Sequence, residues 1–142
     1  MNNRSEMKPI EKNITLQADI DKVWQALSTS EGIASWWMAN DFEAKPGKPF
    51  TLHAGEFGDS PCKVKEVTPK NYLSFYWGKV WEVIFKLDEI DSEATEFTLI
   101  HSGWDETKQT EFGQPHPVVQ PFMNDGWDEI VKVALPKYLE QL

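Results

Sequence analysis

The chain has 142 residues, 40% hydrophobic and 26% charged, a composition that suits one globular domain and not a disordered or fibrous chain. Its 14 basic residues are dispersed among 23 acidic ones for a net charge of −9, which argues against a phosphate-tracking nucleic-acid surface and reads as a solubilising shell. The longest apolar runs fall far short of the roughly 20 residues of a membrane span.

Residues 1–9 are polar, lack the apolar core of a secretory signal and are expected to be flexible. With Cys62 as the single cysteine, no intrachain disulfide is available, so the expected location is the reducing cytoplasm. Residues 10–17 predict a first strand, with Ile10, Ile14 and Leu16 apolar. Asp19 stands where an N-cap belongs, and Ile20, Val23, Trp24 and Leu27 recur at helical spacing, predicting a helix over 20–28. Thr29 caps a second short helix that carries Ile33, Trp36 and Trp37. Lys45-Pro46-Gly47-Lys48-Pro49 is a turn.

A meander of strands follows. Residues 49–54 place Phe50, Leu52 and Ala54 on one face, and residues 62–67 turn Lys63 and Lys65 to water. After a turn at 68–71, residues 72–77 align Leu73, Phe75 and Trp77. Residues 80–87 align Trp81, Val83, Phe85 and Leu87, then Asp88 to Glu93 reads as a polar turn. Residues 95–101 align Phe97, Leu99 and His101. Such alternation predicts an antiparallel sheet with one buried and one wet face. From about 118 to 141 the period becomes helical, through Val119, Met123, Trp127, Ile130, Ala134 and Tyr138, with Phe122, Val131, Leu135, Leu139 and Leu142 in a parallel row. Pro136 is expected to kink this helix and Gly126 to weaken it. The layout is one α+β domain over 1–142, in which a curved antiparallel sheet of about six to seven strands grips a long C-terminal helix, with two short helices after the first strand.

Particular stretches resemble a known family. These are Asp21-Lys22-Val23-Trp24-Gln25-Ala26-Leu27, Ile33-Ala34-Ser35-Trp36-Trp37, Val64 to Pro69, Asn71 to Trp77, Phe97 to Trp104, and Asn124-Asp125-Gly126-Trp127. Together they look like the START-like or SRPBCC superfamily, also called helix-grip or birch-pollen-allergen-like. Within it they are most similar to the branch of heat-shock-protein-90 ATPase activator homologues. The resemblance implies a cavity between sheet and helix. It does not choose a function, because the superfamily includes lipid carriers, hormone receptors, polyketide cyclases and chaperone activators.

Seven Trp, eight Phe and three Tyr make 13% of the chain, which reads either as a large packed aromatic core or as a partly hollow interior lined by rings. The expected cavity is lined by Trp36, Trp37, Phe50, Leu52, Phe75, Trp77, Trp81, Phe85, Leu99, His101, Trp104, Phe122, Met123, Trp127 and Val131, all placed toward the sheet–helix interface. Phe57, Trp104 and Phe112 fall in loops and are expected at its mouth. His101 is read as a hydrogen-bonded core histidine, with a polar anchor or acid–base role as the functional alternative. Glu66 and Glu82 lie on the solvated face, and Cys62 is a small buried hydrophobe. His53, His101 and His116 have no metal-ligand spacing, and neither a cofactor fingerprint nor a nucleophile motif is present. Residues 105–117 are long and proline-bearing enough to form a lid, with Gly103 and Gly113 as hinges. The leading expectation is binding, carriage or sensing of an apolar, aromatic or lipid-like molecule without catalysis. The alternatives are a cyclase or aromatase using His101 with Glu56 or Asp105, and a module that docks on a chaperone protein partner.

Overall fold

Strand β1 (Ile10–Leu16) leads into α1 (Ile20–Ser28) and α2 (Ser30–Trp36), and both helices start where the capping residues require. Asp19 Oδ1 accepts from the Lys22 amide at 2.9 Å, and Thr29 Oγ1 accepts from the Gly32 amide at 3.0 Å. The computed structural model describes residues 6–53, 58–110 and 112–142. The expected inward Ala54, the loop residues Glu56 and Phe57, and the first five residues lie outside them. Within the stretch expected to be flexible, Met7 donates its amide to the Trp104 carbonyl at 3.0 Å, and Glu6 bridges to Asp105.

Seven antiparallel strands form one curled sheet in the order β1-β7-β6-β5-β4-β3-β2. Beyond β1 these are β2 (Ala39–Asn40), β3 (Pro49–His53), β4 (Asp59–Thr68), β5 (Tyr72–Trp77), β6 (Trp81–Asp91) and β7 (Ala94–Ser102). The two-residue β2 carries no period-two signal and was not expected. Strand β4 begins three residues before its predicted start, because Asp59, Ser60 and Pro61 pair with β3 despite turn-like composition. Strand β6 runs on through the predicted polar turn: Asp88 pairs with Glu96 and Glu89 with Thr95, so the end of β6 is exposed and charged while Ala94 and Thr95 opposite it are buried. Register shifts at Val64/Glu66 and Glu89/Asp91 mark irregularities that bend such a sheet.

The predicted inward face is the buried face. Phe50, Leu52, Leu73, Phe75, Trp77, Trp81, Val83, Phe85, Leu87, Phe97, Leu99 and His101 are all buried. The sheet wraps the long C-terminal helix, which starts two residues earlier than expected. It has three parts: α3 (His116–Glu129), a π-helical turn (Ile130–Ala134) and α4 (Leu135–Glu140). The irregularity expected at Pro136 therefore sits in the turn before it, where the Leu135 amide reaches back five residues to the Ile130 carbonyl. A wide turn at this point accommodates a ring with no N–H to give. Gly126 does not interrupt α3. Val119, Trp127, Val131, Leu135 and Leu139 face the core.

Candidate functional site

At one end of the sheet–helix interface the walls part around a cavity of about 600 Å³. The end of β5 and the start of β6 supply Trp77 and Trp81, which oppose each other in register with ring centroids 5.2 Å apart. Trp37 caps α2 and brings its ring to 4.8 Å from Trp127 of α3 and 5.5 Å from Trp77. Met38 and Ser60 complete this side; α3 contributes Val118, Val119, Phe122, Met123, Gly126 and Trp127, and the π-helical turn after it adds Ile130. The spacing of the helical set, two adjacent rows stepping by four, makes a stripe facing the cavity. Thr110, Phe112 and Gln114 close it from the connection between β7 and α3.

That connection is a folded hairpin. Gln109 bridges to Pro115, Thr110 donates its amide to the Gln114 carbonyl at 2.8 Å, and the Gly113 amide returns to Thr110 at 2.9 Å. The last two residues of the expected lid, His116 and Pro117, belong to the first turn of α3. Gly103 is not a free hinge: at φ 91° a Cβ there would meet the Val80 carbonyl oxygen at 2.2 Å. Phe112 stands at the rim, where a Cβ on Gly58 would come within 3.1 Å of its ring.

Six residues expected to line the cavity do so: Trp37, Trp77, Trp81, Phe122, Met123 and Trp127. Nine stand behind the wall as core: Trp36, Phe50, Leu52, Phe75, Phe85, Leu99, His101, Trp104 and Val131. Alternation assigns a face to a side chain but not its depth: His101 and Trp104, for example, lie directly behind Trp81, with ring centroids 4.8 and 4.6 Å from it. Trp104, expected at the mouth, is 1% exposed and donates its indole N–H to the His101 carbonyl at 3.0 Å. Phe122, expected to point inward, is 74% exposed and forms the outer lip with Val118 and Phe112. Met38, Ser60, Thr110, Gln114, Val118, Val119, Gly126 and Ile130 were not expected in the lining. The helical members were legible as the step 118, 122, 126, 130; reading Gly126 only as a weak point concealed it.

His101 is wholly buried among rings, 4.8 Å from both Trp81 and Trp104 and stacked 5.4 Å from Trp77. Its Nδ1 accepts the Trp127 indole N–H at 3.0 Å, so the neutral ring carries its proton on Nε2. Burial, and secondarily the charge His116 would bear, pushes its pKa down to about 3. His116 is also buried, and its Nδ1 accepts the Asp105 amide at 3.0 Å. Asp105, expected to assist His101, instead accepts from the Thr107 amide and hydroxyl at 2.8 and 2.6 Å. Glu66 is exposed, and Glu82 pairs outside the sheet with Lys65 at 3.0 Å. Cys62 is buried and its thiol reaches the Ser60 carbonyl at 3.6 Å.

The lining has no ionisable side chain among the described residues; its polar members are Ser60, Thr110 and Gln114 beside the indoles. Its chemistry is that of desolvation and ring contact, with no group placed on the wall to move a proton. No three His, Cys, Asp or Glu gather into a metal-holding group among the described residues. No described helix is long and apolar enough to cross a membrane.

Residues 17–140 match the family described as activator of Hsp90 ATPase homolog 1-like protein. Among solved structures, a Bacillus halodurans protein is 39% identical at TM-score 0.83, over 95% of this chain and 99% of that one. The Aha1 dimer from Colwellia psychrerythraea matches at TM-score 0.75 and 22% identity, over 94% of this chain and 97% of that one. An HSP90 activator from Plasmodium falciparum matches at TM-score 0.71 and 14% identity, over 87% and 90%. The last two share the fold. Comparison with curated proteins finds no match.

Proposed function

From a chain that belongs to the activator of Hsp90 ATPase homolog 1-like family, we propose a binding protein that holds an apolar small molecule in the cavity between its sheet and its C-terminal helix. The observation that carries this reading is a cavity of about 600 Å³ walled by four tryptophans, with no ionisable group among its described lining residues. Burying about 300 Å² of apolar ligand surface at about 25 cal/mol/Å² yields about 7.5 kcal/mol before ordering costs, which leaves binding on the scale between micromolar and millimolar. The exposed lip of Phe112, Val118 and Phe122 gives such a molecule an apolar route in. A cyclase reading is disfavoured, because His101 lies behind the wall and stays neutral down to about pH 3. A chaperone partner is suggested by the family description alone.

Trp37, Trp77, Trp81 and Trp127 make the site report on itself. Titration with neutral long-chain alcohols, sterols and polyphenols should quench or shift tryptophan emission and raise the melting temperature. A panel in which no member does either overturns the proposal.

A further inference from the structure

We infer that Gly126 decides which molecules this cavity admits: it leaves a notch in the α3 wall that takes a rigid, neutral ligand of three or four fused rings. This rests on the reading of the cavity as a ligand site. A glycine inside a helix weakens it relative to alanine, so its presence there needs a reason. The usual reasons are a positive φ or a neighbour too close to admit a Cβ. The other described glycines have one or both: five take positive φ, and at Gly32 a Cβ would stand 2.6 Å from the Gln25 carbonyl oxygen. Gly126 has neither. Its carbonyl accepts the Ile130 amide in the ordinary helical way, and a Cβ there would meet nothing within 4 Å.

That open space belongs to the cavity. In an α-helix the amides and carbonyls lie along the axis, so what a glycine turns outward is its Cα, the atom a Cβ would grow from. Gly126 is half-buried and lines the cavity, and it does so through that atom. The row 118-122-126-130 reads Val, Phe, Gly, Ile, and all four residues line the cavity. Side chains four apart stack into a ridge along a helix, and this ridge is broken at one position. Trp77 and Trp81 stand on the sheet side of the same space. A single alkyl chain can follow the groove beside a ridge, whereas a rigid ring system needs the ridge interrupted. The break therefore suits fused rings that pass over the α3 backbone toward the indoles, and a cavity of about 600 Å³ accommodates a molecule of that size. No described lining side chain is ionisable, so the ligand is neutral.

2-Naphthol, 9-phenanthrol and 1-hydroxypyrene carry two, three and four fused rings with one hydroxyl each, and all are neutral at pH 7. Equilibrium dialysis measures each against the wild-type chain, Gly126→Ala and Gly126→Leu. Affinity for the wild-type chain should rise with each ring. Gly126→Leu should hold 2-naphthol within about threefold of wild type and lose about tenfold or more for 1-hydroxypyrene, with Gly126→Ala, which favours the helix, in between. The preference is a ratio within one variant, so a general loss of stability does not mimic it. In the wild-type complex the Gly126 Hα protons should show nuclear Overhauser contacts to 1-hydroxypyrene, a reading that needs no substitution. Wild-type affinity that falls with ring number, an unchanged preference in Gly126→Leu, a loss equal for all three compounds, or missing Hα contacts overturns the role of Gly126 and leaves the cavity's function standing. Failure of all three to bind overturns that role too; failure of the long-chain alcohols and sterols as well overturns the cavity's function with it.

Discussion

The two ends of the sheet–helix interface are built from the same kinds of residue and end up in opposite states. At the closed end Phe75 meets Phe50 at 5.2 Å and Phe85 at 5.9 Å, Trp36 meets Phe85 at 5.9 Å, and Val131 and Leu135 are wholly buried in the same core. There α4 also rests against α1 and α2, so helix and sheet are pressed together from two sides. At the open end Trp37, Trp77, Trp81 and Trp127 touch one another along the wall, and α3 is held from its flank, by Lys12 of β1 on Asn124 and Asp128 and by the hairpin of the β7–α3 connection, with neither α1 nor α2 pressing on it. Aromatic abundance alone does not make a cavity. Large, stiff rings leave space where nothing opposite pushes them into it.

Substitutions separate the two ends, and the largest effect belongs to the closed one. Phe85→Ala should lower unfolding free energy by about 3–5 kcal/mol in urea titration while leaving ligand affinity near wild type. A loss below about 1 kcal/mol would mean that the closed end is loose too. Next comes His101 at the junction. Its folded pKa of about 3 lies below the ordinary 6.5, so the folded state binds fewer protons than the unfolded one between those values. Its contribution is complete above pH 6.5 and drains away as pH falls, by about 1.4 kcal/mol per unit. Urea titrations at pH 7, 6 and 5 should show that decline, with a flatter slope in His101→Gln.

The open end should gain where the closed end loses. A Cβ on Gly126 meets nothing within 4 Å, so Gly126→Ala should stabilise α3 by about 1 kcal/mol, and Gly126→Leu should occupy cavity space and weaken binding. Destabilisation by Gly126→Ala would show that α3 closes more tightly than the structure describes. Smallest of all, Phe122→Ser at the lip should change stability by less than about 0.5 kcal/mol, yet slow ligand entry in stopped-flow fluorescence.

The fold was legible where a local signal and the global arrangement agree. The Asp19 and Thr29 caps placed the starts of α1 and α2 to the residue, and period-two alternation identified the buried face of every long strand. It was illegible where pairing overrides composition, as in the charged end of β6 and the Asp59–Pro61 start of β4. The site was half legible for a related reason. Periodicity puts His101 and Trp81 on one face, but which of the two reaches the cavity depends on how far α3 stands off the sheet, and that distance is set by residues remote in sequence. Trp104 misled because a loop position suggested exposure, whereas its indole is drawn inward by the His101 carbonyl.

The pairing of β1 with β7 joins distant parts of the chain at one edge of the sheet: Asn13 bonds Thr98 across 85 positions. Lys12, on the same strand, grips Asp128 of the last helix at 2.9 Å. Strand β1 therefore has no sheet neighbour until the whole meander has formed. The search for that partner is long-range, so folding belongs on the millisecond-to-second scale of high contact order and not with fast helical bundles. During synthesis, β1 waits without a strand partner until the chain through β7, which ends at Ser102, has emerged.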